Sequence, residues 1–376
     1  MRSYDVCVVG GGFSGLYLSS IVDGEVHIFE EHSKIGLPLH CAGIISPRTF
    51  KLLGIPWRFV EAKYDGMVIN FDGYKLFWSG NPLVLKVDRV GIEEYFYDIC
   101  LSRGHTIHFN NHVSNVDPRG FIFVDDLKFE SKIIILAEGF KRFFSKFLGL
   151  IDYGDDFFSL QAMVKCRVNV DNIHVYIESV LSDFFSWFIP LSDDKCIVGV
   201  TSKYSNDLTF LMNSMIKRLI SGGMISNADI NQFFSGIVIR GPVGKPGLGK
   251  IFGIGDTIQM NKPLSGGGLY PICLASRELA KLINDYICGR LDFDILKNYY
   301  TKFFRGFSRT LSSSYKLSNL AFLGEKFLLK NFIKGFFKLD GGKIFDLDYD
   351  DPLSNLLRSP GLSFKLLSAL LFGLLS

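Results

Sequence analysis

Three glycines near the start of the chain are spaced for phosphate chemistry. They stand in Gly10-Gly11-Gly12-Phe13-Ser14-Gly15, directly after the apolar run at residues 4–9. Gly10 permits a tight turn, Gly12 lets backbone approach a pyrophosphate, and Gly15 lets the following helix pack closely on the strand. A helix opening there offers free N–H groups and its positive dipole end to phosphates. Phe13 and Ser14 fill the turn and count with the glycines as expected cofactor contacts. Glu30, 20 residues after Gly10, closes a second strand over residues 25–30, and Glu31 stands beside it. A carboxylate there can accept hydrogen bonds from a ribose diol. Strand, glycine turn, helix, strand and acidic end together read as a dinucleotide site. Alone they do not separate FAD from NAD.

Three later segments must supply the rest of such a site. Residues 87–92 carry Arg89 at the start of a helical run through Leu101. Residues 133–139 read as a buried strand ending in Glu138-Gly139. Residues 251–256 end in Gly255-Asp256, followed by Pro263, the triplet Gly266-Gly267-Gly268 and a helix from Leu269 through Leu282. The set resembles the flavoprotein family built on the p-hydroxybenzoate hydroxylase fold, over roughly residues 1–290. That resemblance implies FAD. It makes Asp256 the acceptor for the flavin ribityl chain and Arg89 the basic group near the cofactor. Ala137-Glu138-Gly139 matches an Asp-Gly motif with Glu in place of Asp. A flavin ring lies flat only on backbone without side chains, which the triplet provides. The helix opening at Leu269 would face the N1–C2=O edge with its positive end. Pro263 stiffens the approach.

Two further segments narrow the resemblance. Pro38-Leu39-His40-Cys41-Ala42-Gly43 and Phe185-Ser186-Trp187-Phe188-Ile189-Pro190 resemble motifs of the geranylgeranyl reductases, archaeal type. Ala42 stands for a usual Gly, Phe185 for Tyr and Ile189 for Phe. The resemblance places Cys41, Ala42 and Gly43 beside the flavin, and Phe185, Trp187, Phe188 and Pro190 on the wall of a substrate cavity. On pattern alone the aromatic run reads first as a core strand, and the resemblance moves it to the cavity wall. The implied reaction saturates C=C bonds of geranylgeranyl chains of membrane ether lipids or their precursors. Reduced flavin would supply the hydride and a side chain the proton. Cys41, His40, Trp187 and Tyr270 are the expected catalytic side chains, with Cys41, His40 and Tyr270 as proton donors. NADPH or a reduced ferredoxin-like donor protein would recharge the flavin. An aromatic hydroxylase of the same fold and a non-catalytic prenyl carrier are the competing readings.

The expected fold class is α/β (α+β mixed): a Rossmann-like FAD-binding domain, an inserted antiparallel-sheet substrate domain and a C-terminal helical region. The boundaries read as 1–65, 85–150 and 240–290 for the first, 66–84 and 151–239 for the second, and 291–376 for the third. Residues 207–222 look helical, with Leu208, Leu211, Met212, Met215 and Leu219 on one face.

Composition sets the outer bounds. The 376 residues hold 41 Lys and Arg against 38 Asp and Glu, which gives no case for a nucleic-acid partner. A 48% hydrophobic content and a mean hydropathy of +0.23 exclude disorder as the main state. The 36 Phe residues suit either a large core or a cavity for an apolar chain. Seven scattered Cys without a CxxC pair argue against a disulfide framework and a metal site. A reducing cytoplasm is the expected compartment, with no signal peptide at the N-terminus. No run reaches the roughly 18 apolar residues of a bilayer span. The apolar residues 366–375 read as a core or interfacial helix. Basic residues beside Phe, as in Lys302-Phe303-Phe304-Arg305 and at 330–338, fit either peripheral contact with the inner membrane face or ordinary lysines of a helical bundle.

Overall fold

The computed structural model describes residues 3–351, apart from residues 39, 126, 179, 341–342 and 345–347. The apolar segment 366–375 lies outside the described residues, as do Leu39 and the side chains of Phe332, Ile333, Phe336, Phe337 and Lys338. In chain order, β1 (Ser3–Val9) runs into α1 (Phe13–Ser19) and β2 (Val26–Phe29). β3 (Ile44–Ile45) and α2 (Pro47–Leu53) lead to the hairpin β4 (Val60–Phe71) and β5 (Tyr74–Val87). Then come α3 (Arg89–Ser102), β6 (Thr106–His108), β7 (Val113–Asp117), β8 (Phe121–Val124), β9 (Leu127–Leu136) and α4 (Phe143–Phe147). β10 (Phe157–Val168), β11 (Ile173–Tyr176), β12 (Ser186–Ser192) and β13 (Lys195–Ser202) are followed by α5 (Leu208–Ser221) and β14 (Ile225–Val238). The last elements are β15 (Gly247–Leu248), β16 (Ile251–Gly253), α6 (Leu269–Ile287), α7 (Phe293–Asp340) and β17 (Lys343–Ile344).

The strands divide between two sheets. The first has the order β15-β16-β9-β1-β2-β6, with β7 and β8 hung from β9. Its centre is parallel and covered on both faces, which is why β1 and the end of β9 read as unbroken apolar runs. Register does the positioning. Val9 pairs with Leu136, and Leu136 pairs with Gly253, so three strands end at one level. Gly10, Ala137 and Gly255 follow those ends within two residues. A crevice outside the carboxyl ends of parallel strands is the usual ligand position in open α/β sheets.

The second sheet has the order β14-β10-β13-β12-β11-β4-β5-β17, with β3 on β5. It is mostly antiparallel. One face carries α5, whose Leu208, Leu211, Met212, Met215 and Leu219 are buried as their spacing predicts. They pack on Ala162, Val164, Phe188, Val198 and Val200. The opposite face looks towards the crevice of the first sheet. α7 buries Leu296, Tyr300 and Phe304 four residues apart, while Lys302 and Arg305 on either side of Phe304 stay exposed. That is the ordinary amphipathic pattern of a helix packed on a core. None of the described helices is long and apolar enough to cross a membrane.

Candidate functional site

A cavity of about 820 Å³ lies between the strand ends of the first sheet and the inner face of the second. The turn after β1 forms one end. Gly10 has φ +105°, and a Cβ there would lie 2.3 Å from the Ala137 carbonyl oxygen. A Cβ on Gly15 would lie 2.2 Å from the Gly10 oxygen, whereas one on Gly12 would meet nothing within 4 Å. Gly12 caps α1 without a side-chain hydrogen bond and, with Phe13 and Ser14, lines the cavity. Glu30 fixes the turn: its Oε2 accepts from the Gly11 N–H at 2.6 Å and its Oε1 from the His32 N–H at 2.8 Å. Glu31 is turned elsewhere and pairs with Lys141 at 2.5 Å.

Arg89 follows Asp88, which caps α3 by accepting from the Gly91 N–H at 3.0 Å. The guanidinium is buried, lies 4.9 Å over the Phe13 ring and bonds Glu93 at 2.6 Å. Its Nε and Nη1 are buried without a partner among the described residues. Such orphaned donors cost a few kcal/mol unless a ligand satisfies them. Gly255 has φ +72°, with the Ser14 hydroxyl 2.2 Å from where a Cβ would stand. Asp256 next to it lines the cavity. Burial pushes its carboxyl up to about 6, against the pull of Arg142 and Arg89 and with a further push from Asp156. Gly139, Pro263, Gly266, Gly267, Gly268 and Leu269 also line the cavity.

Glu138 departs from the role that its motif implies. It does not line the cavity; its two oxygens accept the N–H groups of Phe144 at 2.9 Å and Ser145 at 2.8 Å. It is the cap of α4, a helix that begins without one of its own. Glu138→Ala should cost about 1 kcal/mol of stability in urea denaturation. Flavin retention, read from absorbance after gel filtration, should not change.

The loop at residues 40–43 forms part of the cavity wall. His40, Cys41, Ala42 and Gly43 all line it, and Cys41 is exposed there. His40 Nδ1 donates to the Ser235 carbonyl at 2.6 Å. Gln161, absent from the sequence-based set, connects this loop to the wall. Its Nε2 donates to the His40 carbonyl at 3.1 Å, and its Oε1 accepts from Trp187 Nε1 at 3.3 Å. The Trp187 indole lies across Gly199 on the paired strand, where a Cβ would come within 2.0 Å of the ring. Tyr270 lines the cavity beneath Arg48, and burial pushes its hydroxyl up to about 12, so it holds its proton at neutral pH.

The aromatic strand divides by alternation. Phe185, Trp187 and Ile189 face the cavity with Met67, Ile69, Ile173 and Val175. Phe188, expected on this wall, points to the other face and packs with Met212 and Met215 under α5. Side chains alternate along a strand, so Trp187 and Phe188 cannot share a face. Pro190 is likewise not among the lining residues; its carbonyl accepts from the Tyr64 hydroxyl. A second cavity of about 350 Å³ shares Cys41 and Arg89 with the first.

No family model matches the chain. An uncharacterized protein of Methanocaldococcus jannaschii is 28% identical, over 99% of this chain and 97% of its own length. The digeranylgeranylglycerophospholipid reductase of Methanococcus aeolicus is 22% identical over 71% of this chain and 73% of its own. A second enzyme of that name, from Methanopyrus kandleri, is 22% identical over 84% of this chain and 86% of its own. Among solved structures, a geranylgeranyl bacteriochlorophyll reductase-like protein from Thermoplasma acidophilum superposes with a TM-score of 0.79 at 18% identity. It covers 98% of this chain and 100% of that one. The flavin-dependent brominase Bmp2 shares the fold at a TM-score of 0.63 and 16% identity, over 99% of this chain and 94% of that one. In motif order, two-sheet architecture and these relatives, the chain is similar to the geranylgeranyl reductases, archaeal type.

Proposed function

We propose that this chain is an FAD-dependent reductase that saturates C=C bonds in geranylgeranyl chains of membrane ether lipids or their precursors. One observation carries the reading. A single cavity joins three strand-end glycine turns to an apolar wall of Met67, Ile69, Ile173, Val175, Trp187 and Ile189. The first half fits a flavin dinucleotide: an open Gly12, an Arg89 with two unpartnered donors, and a backbone cradle at Gly266 to Gly268. The second half offers the dry, aliphatic surface that a prenyl chain needs.

Bound FAD would supply the hydride. The chain's own residues would do the rest. Gly12 and the first turn of α1 would receive the pyrophosphate, and Asp256 the ribityl hydroxyls. Arg89 would neutralise charge near the phosphates. The wall would exclude water and hold the alkene. Cys41 and His40, which line the same cavity, would be donors of the proton. Tyr270, with its hydroxyl held protonated, is a third donor. NADPH or a ferredoxin-like protein is proposed as the external donor, and lipid substrate as the reason for peripheral membrane contact in the cytoplasm.

The test is anaerobic. Chemically reduced protein is incubated with a digeranylgeranyl glycerophospholipid, and the lipid is weighed by mass spectrometry. Gain of two hydrogens per double bond, absent with unreduced protein, is expected. A yellow, reducible protein that leaves the lipid unchanged would sink this substrate. It would favour an oxygen-consuming hydroxylase, which oxygen uptake with aromatic substrates would show.

A further inference from the structure

A buried ion pair reaches the cavity without a part in the scheme above. Lys262 stands at the start of the turn that ends in the glycine triplet and is 9% exposed. Its Nζ lies 3.0 Å from Oδ1 of Asp350 and 3.4 Å from the Tyr349 carbonyl oxygen, and 4.3 Å above the Tyr349 ring. Asp350 is 5% exposed. Its other oxygen accepts from the hydroxyls of Ser46 and Thr49, at the start of α2, the latter at 2.9 Å. A short stretch near residue 350 is thereby tied both to α2 and to the triplet turn.

The turn itself is closed on Lys262. The Lys262 N–H donates to the Gly267 carbonyl at 3.0 Å, and the Gly266 N–H to the Lys262 carbonyl at 2.8 Å. A Cβ on Gly267 would lie 2.9 Å from Lys262 Cε and 3.5 Å from Nζ. The ammonium is therefore next to the side-chain-free backbone on which a flavin would lie. Both Lys262 and Asp350 line the cavity. Burying two charges is costly, and an apolar pair would fill the same space more cheaply. The cation lines the cavity, within reach of a group lying on the triplet.

We propose that Lys262 is an electrostatic partner of the flavin, stabilising negative charge on the pyrimidine edge of the ring, and that Asp350 is the counter-charge that tempers it. The inference rests on the flavin reading and deepens it. Opposite charge near a developing anion favours it most where water is excluded. Asp350 moderates the effect, because its carboxylate cancels part of the field of Lys262. The two residues thus act with opposite sign on the same charge.

Sulfite provides the test without turnover. It adds to N5 of oxidised flavin through a new N–S bond, and the displaced electron pair resides on the N1–C2=O edge. The yellow band bleaches, so affinity is read by titration. Colour retained by the unaltered protein establishes the flavin reading first; a colourless protein would overturn that reading and this inference together. Lys262→Met should weaken sulfite binding about tenfold or more, and Lys262→Arg should stay within about threefold of the unaltered protein. Asp350→Asn should bind sulfite tighter, by about threefold or more. A merely structural ion pair would weaken binding in both the Met and the Asn variant. That result, or no change in Lys262→Met, overturns the inference while leaving the flavin reading standing. Should Lys262→Met fail to fold, the direction of change in Asp350→Asn decides alone.

Discussion

Gly12→Val is expected to give a protein that folds as stably as the unaltered one and has lost its flavin. The two halves of that expectation come from one position. Gly12 has φ −77°, a backbone any residue adopts, and a Cβ there meets no atom within 4 Å. Nothing in the fold is displaced. The new side chain instead fills the space beside the first turn of α1, where a pyrophosphate would touch backbone. Losing several phosphate hydrogen bonds at about 1.5 kcal/mol or more each lowers affinity by roughly a thousandfold. Gly15→Val is the contrast. Its Cβ would lie 2.2 Å from the Gly10 oxygen, with Val8 Cγ1 at 3.1 Å. Backbone cannot yield there, so this variant should lose several kcal/mol of stability. Thermal melts of the flavin-free proteins separate the two, and fluorescence titration with FAD measures the first. A Gly12→Val protein that binds FAD normally would remove the pyrophosphate from this turn.

The spacing assigns those two glycines their different roles, but not the clearances around them. What was visible is local. A buried run followed by Gly, or by Gly and an acid, marks a strand end in β1, β9 and β16 alike. Each signal needs only a few adjacent residues. Their meeting depends on the register of Val9 with Leu136 and of Leu136 with Gly253, which no adjacent residues encode. Phe188 went to the wrong face because β12 is buried on both sides, so its sequence carries no polar alternation to set the phase. Glu138 shows how one methylene redirects a motif: the longer carboxylate reaches the first turn of α4 and caps it. Gln161 looks in sequence like any strand polar residue. Its worth comes from the His40 carbonyl and Trp187 meeting it across the fold. Lys262 and Asp350 are 88 residues apart, so nothing local in the sequence pairs them. Only the folded chain makes Asp350 a buried counter-charge.

Asp256→Asn should stabilise the flavin-free protein and weaken its hold on flavin, two effects of opposite sign from one carboxyl. Burial raises this group from its ordinary 3.8 to about 6, the positive charges of Arg142 and Arg89 notwithstanding. In the unfolded chain it titrates near 3.8. Between about pH 4 and pH 6 the native state therefore binds more protons than the unfolded one, and stability falls as pH rises through that window. Above it the penalty is complete. At about 1.4 kcal/mol per pH unit, reduced because the carboxyl keeps some contact with solvent through the cavity, the penalty is about 2 kcal/mol. Asn removes it. The variant should melt several degrees higher at pH 7 and lose the decline between pH 4 and 6. Flavin is the reason to keep the acid. A carboxylate accepting from ribityl hydroxyls gives charge-assisted hydrogen bonds, and the amide that replaces it gives weaker ones. A loss of about 2 to 3 kcal/mol, or some 30- to 100-fold in affinity at pH 7, follows. The loss should shrink below pH 6, where the native carboxyl is itself protonated. Equal affinities for both proteins across the pH range would show that Asp256 does not touch the cofactor. A destabilised variant would show that its charge serves the fold.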